Sequence, residues 1–221
     1  MATRLVKVRA VVFDLDGTLL DTLEDLANAT NWALRRNGMP ERSLAEIRQF
    51  VGNGVRRLVE RAVPKGTDDA LFERTFDDFK RYYVNHCQER TCLYDGIPEL
   101  LRELKKRGYK LAIVSNKLQA GVDELYERYF RDTVEVALGE QPQWQRKPAP
   151  DMVLEALRRL GVTADEAIYV GDSDVDMATA RNSGLSCISV LWGFRDPEFL
   201  KAHGATCFAQ RPADILGLLE S

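Results

Sequence analysis

Histidine is scarce in this chain: only His86 and His203 occur in 221 residues, and they lie far apart. Imidazole-based metal sites and Ser-His-Asp triads therefore have little to work with. The four cysteines, Cys87, Cys92, Cys187 and Cys207, show neither Cys-x-x-Cys spacing nor a nearby histidine arranged for zinc. They read as buried or incidental thiols of a reducing compartment. No apolar run approaches the roughly 20 residues that cross a bilayer, and Met1 to Arg9 lacks the apolar core of a signal peptide. A cytoplasmic protein without a membrane partner is the expectation, and the Asn28-Ala29-Thr30 sequon is then irrelevant. An excess of either charge is missing too: 31 Lys and Arg against 34 Asp and Glu, net -3. That balance gives no electrostatic case for nucleic acid or an anionic membrane. A Gly-x-x-x-x-Gly-Lys-Ser/Thr loop for a nucleoside triphosphate is also absent.

What the chain does have begins at Ala10-Val11-Val12-Phe13, a short uncharged β-branched run that reads as a strand buried on both faces. It breaks into Asp14-Leu15-Asp16-Gly17-Thr18. In extended backbone Asp14 and Asp16 share one side while Leu15 turns back toward apolar neighbours. Like charges this close are tolerated when a cation sits between them or one carboxyl stays protonated; turn and cap residues ahead of a helix are the plainer alternative. From Thr22 the period changes. Leu23, Leu26, Ala27, Thr30 and Ala33-Leu34 mark a helix stopped at Asn37-Gly38, Ser43 with Glu46 forms a capping box for a second helix, and two further helical stripes run to about residue 90. Residues 20–90 carry no strand signal and read as an all-helical insertion. After Leu93 strands and helices alternate: apolar runs at 111–114, 134–138, 167–170 and 186–190 flank helical segments near 118–129, 150–160 and 174–183, with a last helix near 212–219. That alternation is the mark of a parallel sheet covered on both faces.

Ligands of open parallel sheets bind beyond the carboxyl ends of the strands. Three runs end in polar groups: Asp14 and Asp16; Ser115 and Asn116; Asp172, Ser173, Asp174 and Asp176 after Gly171. Lys147, in Lys147-Pro148-Ala149-Pro150, can supply a cation to the same edge. Each has a plain reading, as helix caps for Ser115 and Asn116, a solvated loop lysine for Lys147, and helix N-terminal acids for 172–176. Together they suit phosphoryl transfer with a hard cation. Carboxylates and a carbonyl are ligands Mg²⁺ prefers, and Lys147, Ser115 and backbone N–H groups can hold phosphoryl oxygens.

In their order these residues resemble the four motifs of the haloacid dehalogenase superfamily of phosphatases: Asp14-Leu15-Asp16-Gly17-Thr18, Ser115-Asn116, Lys147-Pro148 and Gly171-Asp172-Ser173-Asp174-Val175-Asp176. Val51-Gly52-Asn53-Gly54-Val55 and Leu191-Trp192-Gly193-Phe194 look most like its phosphoglycolate phosphatase branch. The resemblance implies an α/β fold, a doubly wound Rossmann-like catalytic core of residues 1–19 and 91–221 with an inserted helical cap of residues 20–90. It implies Mg²⁺-dependent hydrolysis of a small anionic phosphomonoester through an aspartyl-phosphate. Asp14 is then the nucleophile and Asp16 the acid and base. Ser115, Asn116 and Lys147 bind phosphate, and Asp14, the Asp16 carbonyl and Asp172 hold Mg²⁺. Asp176 supports Lys147 or a water, and Asp174 stays at the surface. Gly52, Asn53, Gly54 and Arg56 of the cap are candidates for substrate contact, with Arg57 or Trp144 as further candidates. A monomer or weak homodimer is expected. The rivals are a pyrophosphatase or a β-phosphoglucomutase-like mutase of the same superfamily, the mutase disfavoured by Leu26 where a histidine would be expected. From another class comes a phospho-receiver module, which needs no seventy-residue helical insertion.

Overall fold

The structure, a computed structural model, describes residues 7–220, so most of the segment read above for a signal peptide lies outside the described residues. In chain order the elements are β1 (Ala10–Phe13), β2 (Leu20–Asp21), α1 (Leu23–Arg36), α2 (Leu44–Phe50), α3 (Val55–Ala62), α4 (Asp69–His86), β3 (Cys92–Leu93), α5 (Ile97–Lys106) and β4 (Lys110–Leu118). There follow α6 (Gln119–Leu125), β5 (Val136–Glu140), α7 (Asp151–Leu160), β6 (Ala167–Gly171), α8 (Asp174–Asn182), β7 (Ser186–Val190), α9 (Pro197–Ala202), β8 (Phe208–Ala209) and α10 (Asp214–Leu218). They form two compact units: one runs to Leu19 and resumes at Leu93, the other spans Leu20–Cys92.

The first unit is built on a six-stranded sheet in the order β5-β4-β1-β6-β7-β8, with β1 between β4 and β6. Both neighbours run parallel to β1, pairing Val11 with Leu111 on one side and with Ile168 on the other. All four residues of β1 are fully buried, as a strand covered on both faces requires. On one face Ala10, Val12, Ala112, Val114 and Tyr169 pack with Met152, Val153, Ala156 and Leu157 of α7. Because the strands are parallel, the carboxyl ends of β4, β1 and β6 share one edge, which brings residues far apart in sequence side by side.

Four helices make up most of the second unit. The Ser43–Glu46 capping box that opens α2 is formed in both directions, and Asp68 caps α4 by accepting from Leu71 N. Leu34, Met39 and Ala62 are the centre of a small core with Phe50, Val63 and Leu71 against it. Asp25, almost fully buried on α1, accepts from Arg90 N, Thr91 N and the Thr91 hydroxyl at 2.8–3.1 Å. The two ends of the insertion are thus joined by one carboxylate.

Some elements differ from the sequence reading. Leu20–Asp21 is a strand, pairing with β3 in a two-stranded sheet; two residues are too few for any alternation to show. The apolar run 111–114 continues through Ser115, Asn116 and Lys117 to Leu118 as one strand, so Ser115 and Asn116 cap no helix. The helix α9 and the edge strand β8 are additions, the latter held by only two register pairs with β7. Among the described residues no helix is long and apolar enough to cross a membrane.

Removing the Asp25 carboxylate leaves buried N–H groups without an acceptor. Asp25→Ala should lower the unfolding free energy of the whole chain by about 2–4 kcal/mol in urea titrations. A loss under about 0.5 kcal/mol would show that the tie is dispensable.

Candidate active site

Asp14 continues β1 by one step, its N–H donating to Val170 O at 2.9 Å. Its carboxylate is held at Oδ1 by Leu15 N at 2.7 Å and by Lys147 Nζ at 2.7 Å. Leu15 turns back into the core, 1% exposed, as the alternation of an extended chain requires. Gly17 then adopts φ +88°, and a Cβ on it would lie 2.5 Å from Asp172 Oδ2. Glycine is needed there both for the turn and for the approach of Asp172. Asp172 leaves the end of β6 and is gripped at both oxygens: the Thr18 hydroxyl donates to Oδ1 at 3.3 Å and Phe194 N to Oδ2 at 2.7 Å. Trp192 Nε1 donates to Thr18 O at 2.9 Å, so the chain after β7 is fastened to the turn after β1.

Lys147 joins these groups. Its ammonium lies 2.7 Å from Asp14, 2.9 Å from Asp176 Oδ1 and 3.0 Å from the Tyr169 hydroxyl, and the side chain is 2% exposed. Asn116 sets the lysine backbone, donating from Nδ2 to Lys147 O at 3.1 Å and accepting Lys147 N at 2.8 Å. The Asn116 carboxamide thus holds the Lys147 loop against β4 in the manner of a strand neighbour. Ser115, buried, accepts Lys117 N at 3.1 Å. Asp176 spends its second oxygen on Ser173 N and Oγ in the capping box that opens α8. Asp16 is the more open of the first pair, with 19% of its side chain exposed and Oδ1 3.5 Å from Lys117 Nζ. Asp174 is paired with Arg195 at 3.7 Å and remains partly exposed.

Oxygens of Asp14, Asp172 and Asp176 all lie within 4.8 Å of one another. Burial and the Asp176 charge push Asp14 well above the usual carboxylate range, against the pull of Lys147. The same two causes raise Asp172 to about 7, with Phe194 N and Arg195 pulling the other way. Burial alone would lower Lys147, but Asp14 and Asp176 outweigh it and hold the ammonium charged. One ammonium among three buried carboxylates leaves a negative excess, which an oxygen-seeking divalent cation fits. Asp176 is committed to Lys147, Tyr169 and Ser173, so Asp14 and Asp172 are the side chains better placed to ligate.

Tyr169, Thr18 and Lys117 are the groups that sequence reasoning did not single out. The signal for Tyr169 was one hydroxyl in the apolar strand Ala-Ile-Tyr-Val; it bonds both Lys147 and Asp176, the latter at 3.1 Å. The four residues proposed from the helical insertion stand in that unit as follows. Gly52 and Gly54 take φ +119° and +82°, Gly54 preceding α3. Asn53 Oδ1 accepts from Arg61 at 2.7 Å. Arg56 pairs with Glu73 and Glu60 and lies 4.8 Å over the Phe72 ring. Arg57 pairs with Glu60, and Trp144, in the other unit, packs against the sheet core with Arg159 over its ring.

Comparison with known proteins shows the family. The profile of the haloacid dehalogenase-like hydrolases matches residues 11–190. A phosphoglycolate phosphatase of Pseudomonas syringae pv. tomato is 34% identical over 218 residues, covering 94% of this chain and 76% of that protein. An N-acetylmuramic acid 6-phosphate phosphatase of Pseudomonas aeruginosa is 30% identical over 217 residues, covering 97% and 96%. A crystal structure from Lactobacillus delbrueckii subsp. bulgaricus, described as a candidate phosphoglycolate phosphatase, superposes with a TM-score of 0.92 at 36% identity, covering 96% and 98%.

The raised Asp172 carboxyl has a consequence for stability. Its affinity for protons is greater folded than unfolded between the ordinary value of 3.8 and about 7, so its contribution, full below that window, is lost as pH rises through it. Without divalent cation, the native chain should lose stability across that window relative to Asp172→Asn, which has no carboxyl to ionise there. Added MgCl₂ should raise Tm more at pH 8 than at pH 5, because the ionised cluster binds the cation. Scanning calorimetry of EDTA-treated protein checks both; equal Mg²⁺ shifts at the two pH values would dismiss the cluster as a cation site.

Proposed function

The chain belongs to the haloacid dehalogenase-like hydrolases, and we propose that it hydrolyses small acidic phosphomonoesters, 2-phosphoglycolate first among them, through an aspartyl-phosphate with Mg²⁺. The observation that carries this reading is the clamp on Asp14. Leu15 N and Lys147 Nζ both hold Oδ1, so Oδ2 is the oxygen left to aim at phosphorus.

In the first step Asp14 Oδ2 bonds to phosphorus as the bond from phosphorus to the ester oxygen breaks, and Asp16 gives its proton to the departing alkoxide. In the second step water attacks phosphorus, Asp16 takes the water's proton, and the Asp14 carboxylate leaves as phosphate is released. One carboxyl serves both steps because the second reverses the proton demand of the first. Lys147 and the Ser115 hydroxyl are the donors for phosphoryl oxygens as charge shifts in the transition state. Asp14, Asp172 and the carbonyl of Asp16 would hold Mg²⁺, which when bound neutralises phosphoryl charge and the excess of the acidic cluster. Asp176, Tyr169 and Asn116 keep Lys147 on Asp14. The helical unit, Leu20–Cys92, is read as the cap that selects substrate, with Gly52, Asn53, Gly54 and Arg56 as its candidate contacts.

Asp14→Asn should lower turnover of 2-phosphoglycolate and p-nitrophenyl phosphate by roughly 10⁴-fold or more while leaving the melting curve in place. Retained turnover would remove Asp14 as nucleophile. Asp16→Ala should cost about 10²–10⁴ with alkyl esters and much less with p-nitrophenyl phosphate in the first step, since a good leaving group needs no proton. Uniform losses in single-turnover release of both alcohols would refute the acid role. A panel containing 2-phosphoglycolate, hexose phosphates and pyrophosphate, ranked by kcat/KM, separates the phosphatase from a pyrophosphatase or mutase; slow stoichiometric phosphorylation without turnover would instead mark a receiver.

A further inference from the structure

The buried Lys147 ammonium has no donor to spare. It carries three N–H groups and no acceptor, and three oxygens surround it: Asp14 Oδ1 at 2.7 Å, Asp176 Oδ1 at 2.9 Å and the Tyr169 hydroxyl at 3.0 Å. The side chain is 2% exposed, so the count closes within the protein. A phosphoryl oxygen that takes an N–H from Lys147, as the reading above requires, must therefore displace one of the three. Which acceptor gives way decides how tightly phosphate is held.

The three acceptors are not equal. Asp14 and Asp176 meet the ammonium as ion-pair partners, where the attraction of opposite charges adds to the hydrogen bond. Tyr169 offers a hydroxyl, which burial keeps protonated by pushing it well above the usual tyrosine range. That hydroxyl also has a second bond, donating to Asp176 Oδ1 at 3.1 Å. Release of the lysine thus leaves the phenol proton paired, whereas release of Asp176 would strip a buried carboxylate of its cation. The Tyr169 ring is fully buried on β6 and packs in the sheet core with Val12 and Ala112. Held there, it cannot follow the ammonium as the latter turns toward a phosphoryl oxygen.

We propose that Tyr169 is a positioning residue whose hydroxyl holds the third N–H of Lys147 before substrate binds, yields it to a phosphoryl oxygen, and falls back on Asp176. This rests on the phosphatase reading and deepens it by naming the bond that is exchanged. The exchange keeps every buried ammonium N–H paired in both states, but it makes phosphate compete for its donor. A phenylalanine at position 169 ends that competition: the N–H then lacks this acceptor until phosphate arrives, and binding gains a hydrogen bond instead of trading one. A hydroxyl that merely braced Lys147 would have the opposite effect, since its loss would loosen the lysine and weaken phosphate binding.

The test is the affinity for inorganic phosphate with MgCl₂ present, read by titration calorimetry and as competitive inhibition of p-nitrophenyl phosphate turnover. In Tyr169→Phe the dissociation constant should fall about tenfold, the scale of one hydrogen bond. KM for p-nitrophenyl phosphate should fall with it while kcat does not rise, because the added bond is made in the ground state and the transition state alike. Phosphate at one fixed concentration should also raise Tm more in the variant than in the unaltered chain. Unchanged or weaker phosphate binding in the variant would overturn the proposal and leave the phosphatase reading intact. Failure of the unaltered chain to hydrolyse both p-nitrophenyl phosphate and 2-phosphoglycolate would sink the two together. Tyr169→Met is the second variant and should show the same gain. Should neither variant fold, ¹³Cζ-tyrosine spectra of the unaltered chain decide: the signal of a tyrosine that does not titrate below pH 10 should shift when phosphate is added, and no such shift would end the proposal.

Discussion

One buried ammonium holds the site together. Lys147 is surrounded by Asp14, Asp176 and the Tyr169 hydroxyl, all within 3.0 Å, and almost nothing of its side chain reaches solvent. Removing such a charge from water costs several kcal/mol, and only close, well-oriented counter-charges offset it. The partners come from β1, β6 and α8, so the ion cluster can form only if those elements take their positions. Placing β1 between β4 and β6 does this: it lines up three strand ends on one edge, and their polar termini meet without long loops.

The cluster is not self-sufficient electrostatically. Asp176 is satisfied by Lys147, Tyr169 and Ser173, whereas Asp14 and Asp172 are both driven upward in proton affinity by burial and by the Asp176 charge. The chain nonetheless holds Asp172 in place through Phe194 N and Thr18, and it keeps residue 17 free of a side chain so that the carboxylate fits. Uncompensated repulsion maintained by fixed hydrogen bonds is a stored cost, and strain of this kind persists where the surrounding structure over-determines it. A divalent cation held by Asp14 and Asp172 would offset that repulsion.

Much of this was legible from the residues. Ala10–Phe13 reads as a doubly buried strand because it is β-branched and uncharged, the acidic and Ser-Asn groups declare themselves by their place after apolar runs, and Lys147 by its proline-flanked loop ahead of a helix. The helical insertion showed through a change of period at Thr22. Other features were hidden for physical reasons. Tyr169 sits in an apolar strand where packing explains a ring equally well, and only three dimensions show its hydroxyl against Lys147. Asn116 and Ser115 are polar, so the apolar run ends at Val114, whereas the strand continues to Leu118, which pairs with Glu140 of β5 after a register shift. The edge strand β8 has two residues and no pattern to read.

Arg56 shows a limit of another kind: a sequence does not tell which partners an arginine finds, and the structure engages this one with two glutamates and the Phe72 ring within its own unit. Lys117 was passed over for the complementary reason, since a lysine next to a motif reads as solvated. The two side chains carry the same charge and differ in burial. Arg56 has 39% of its side chain exposed and its partners are exposed as well, so its ion pairs cost and gain little. Lys117 is withdrawn from solvent beside Asp16, where a charge interacts strongly with whatever occupies the site. The two cations therefore differ in reach: water screens the exposed pairs of Arg56, whereas the buried Lys117 acts on Asp16 with little screening.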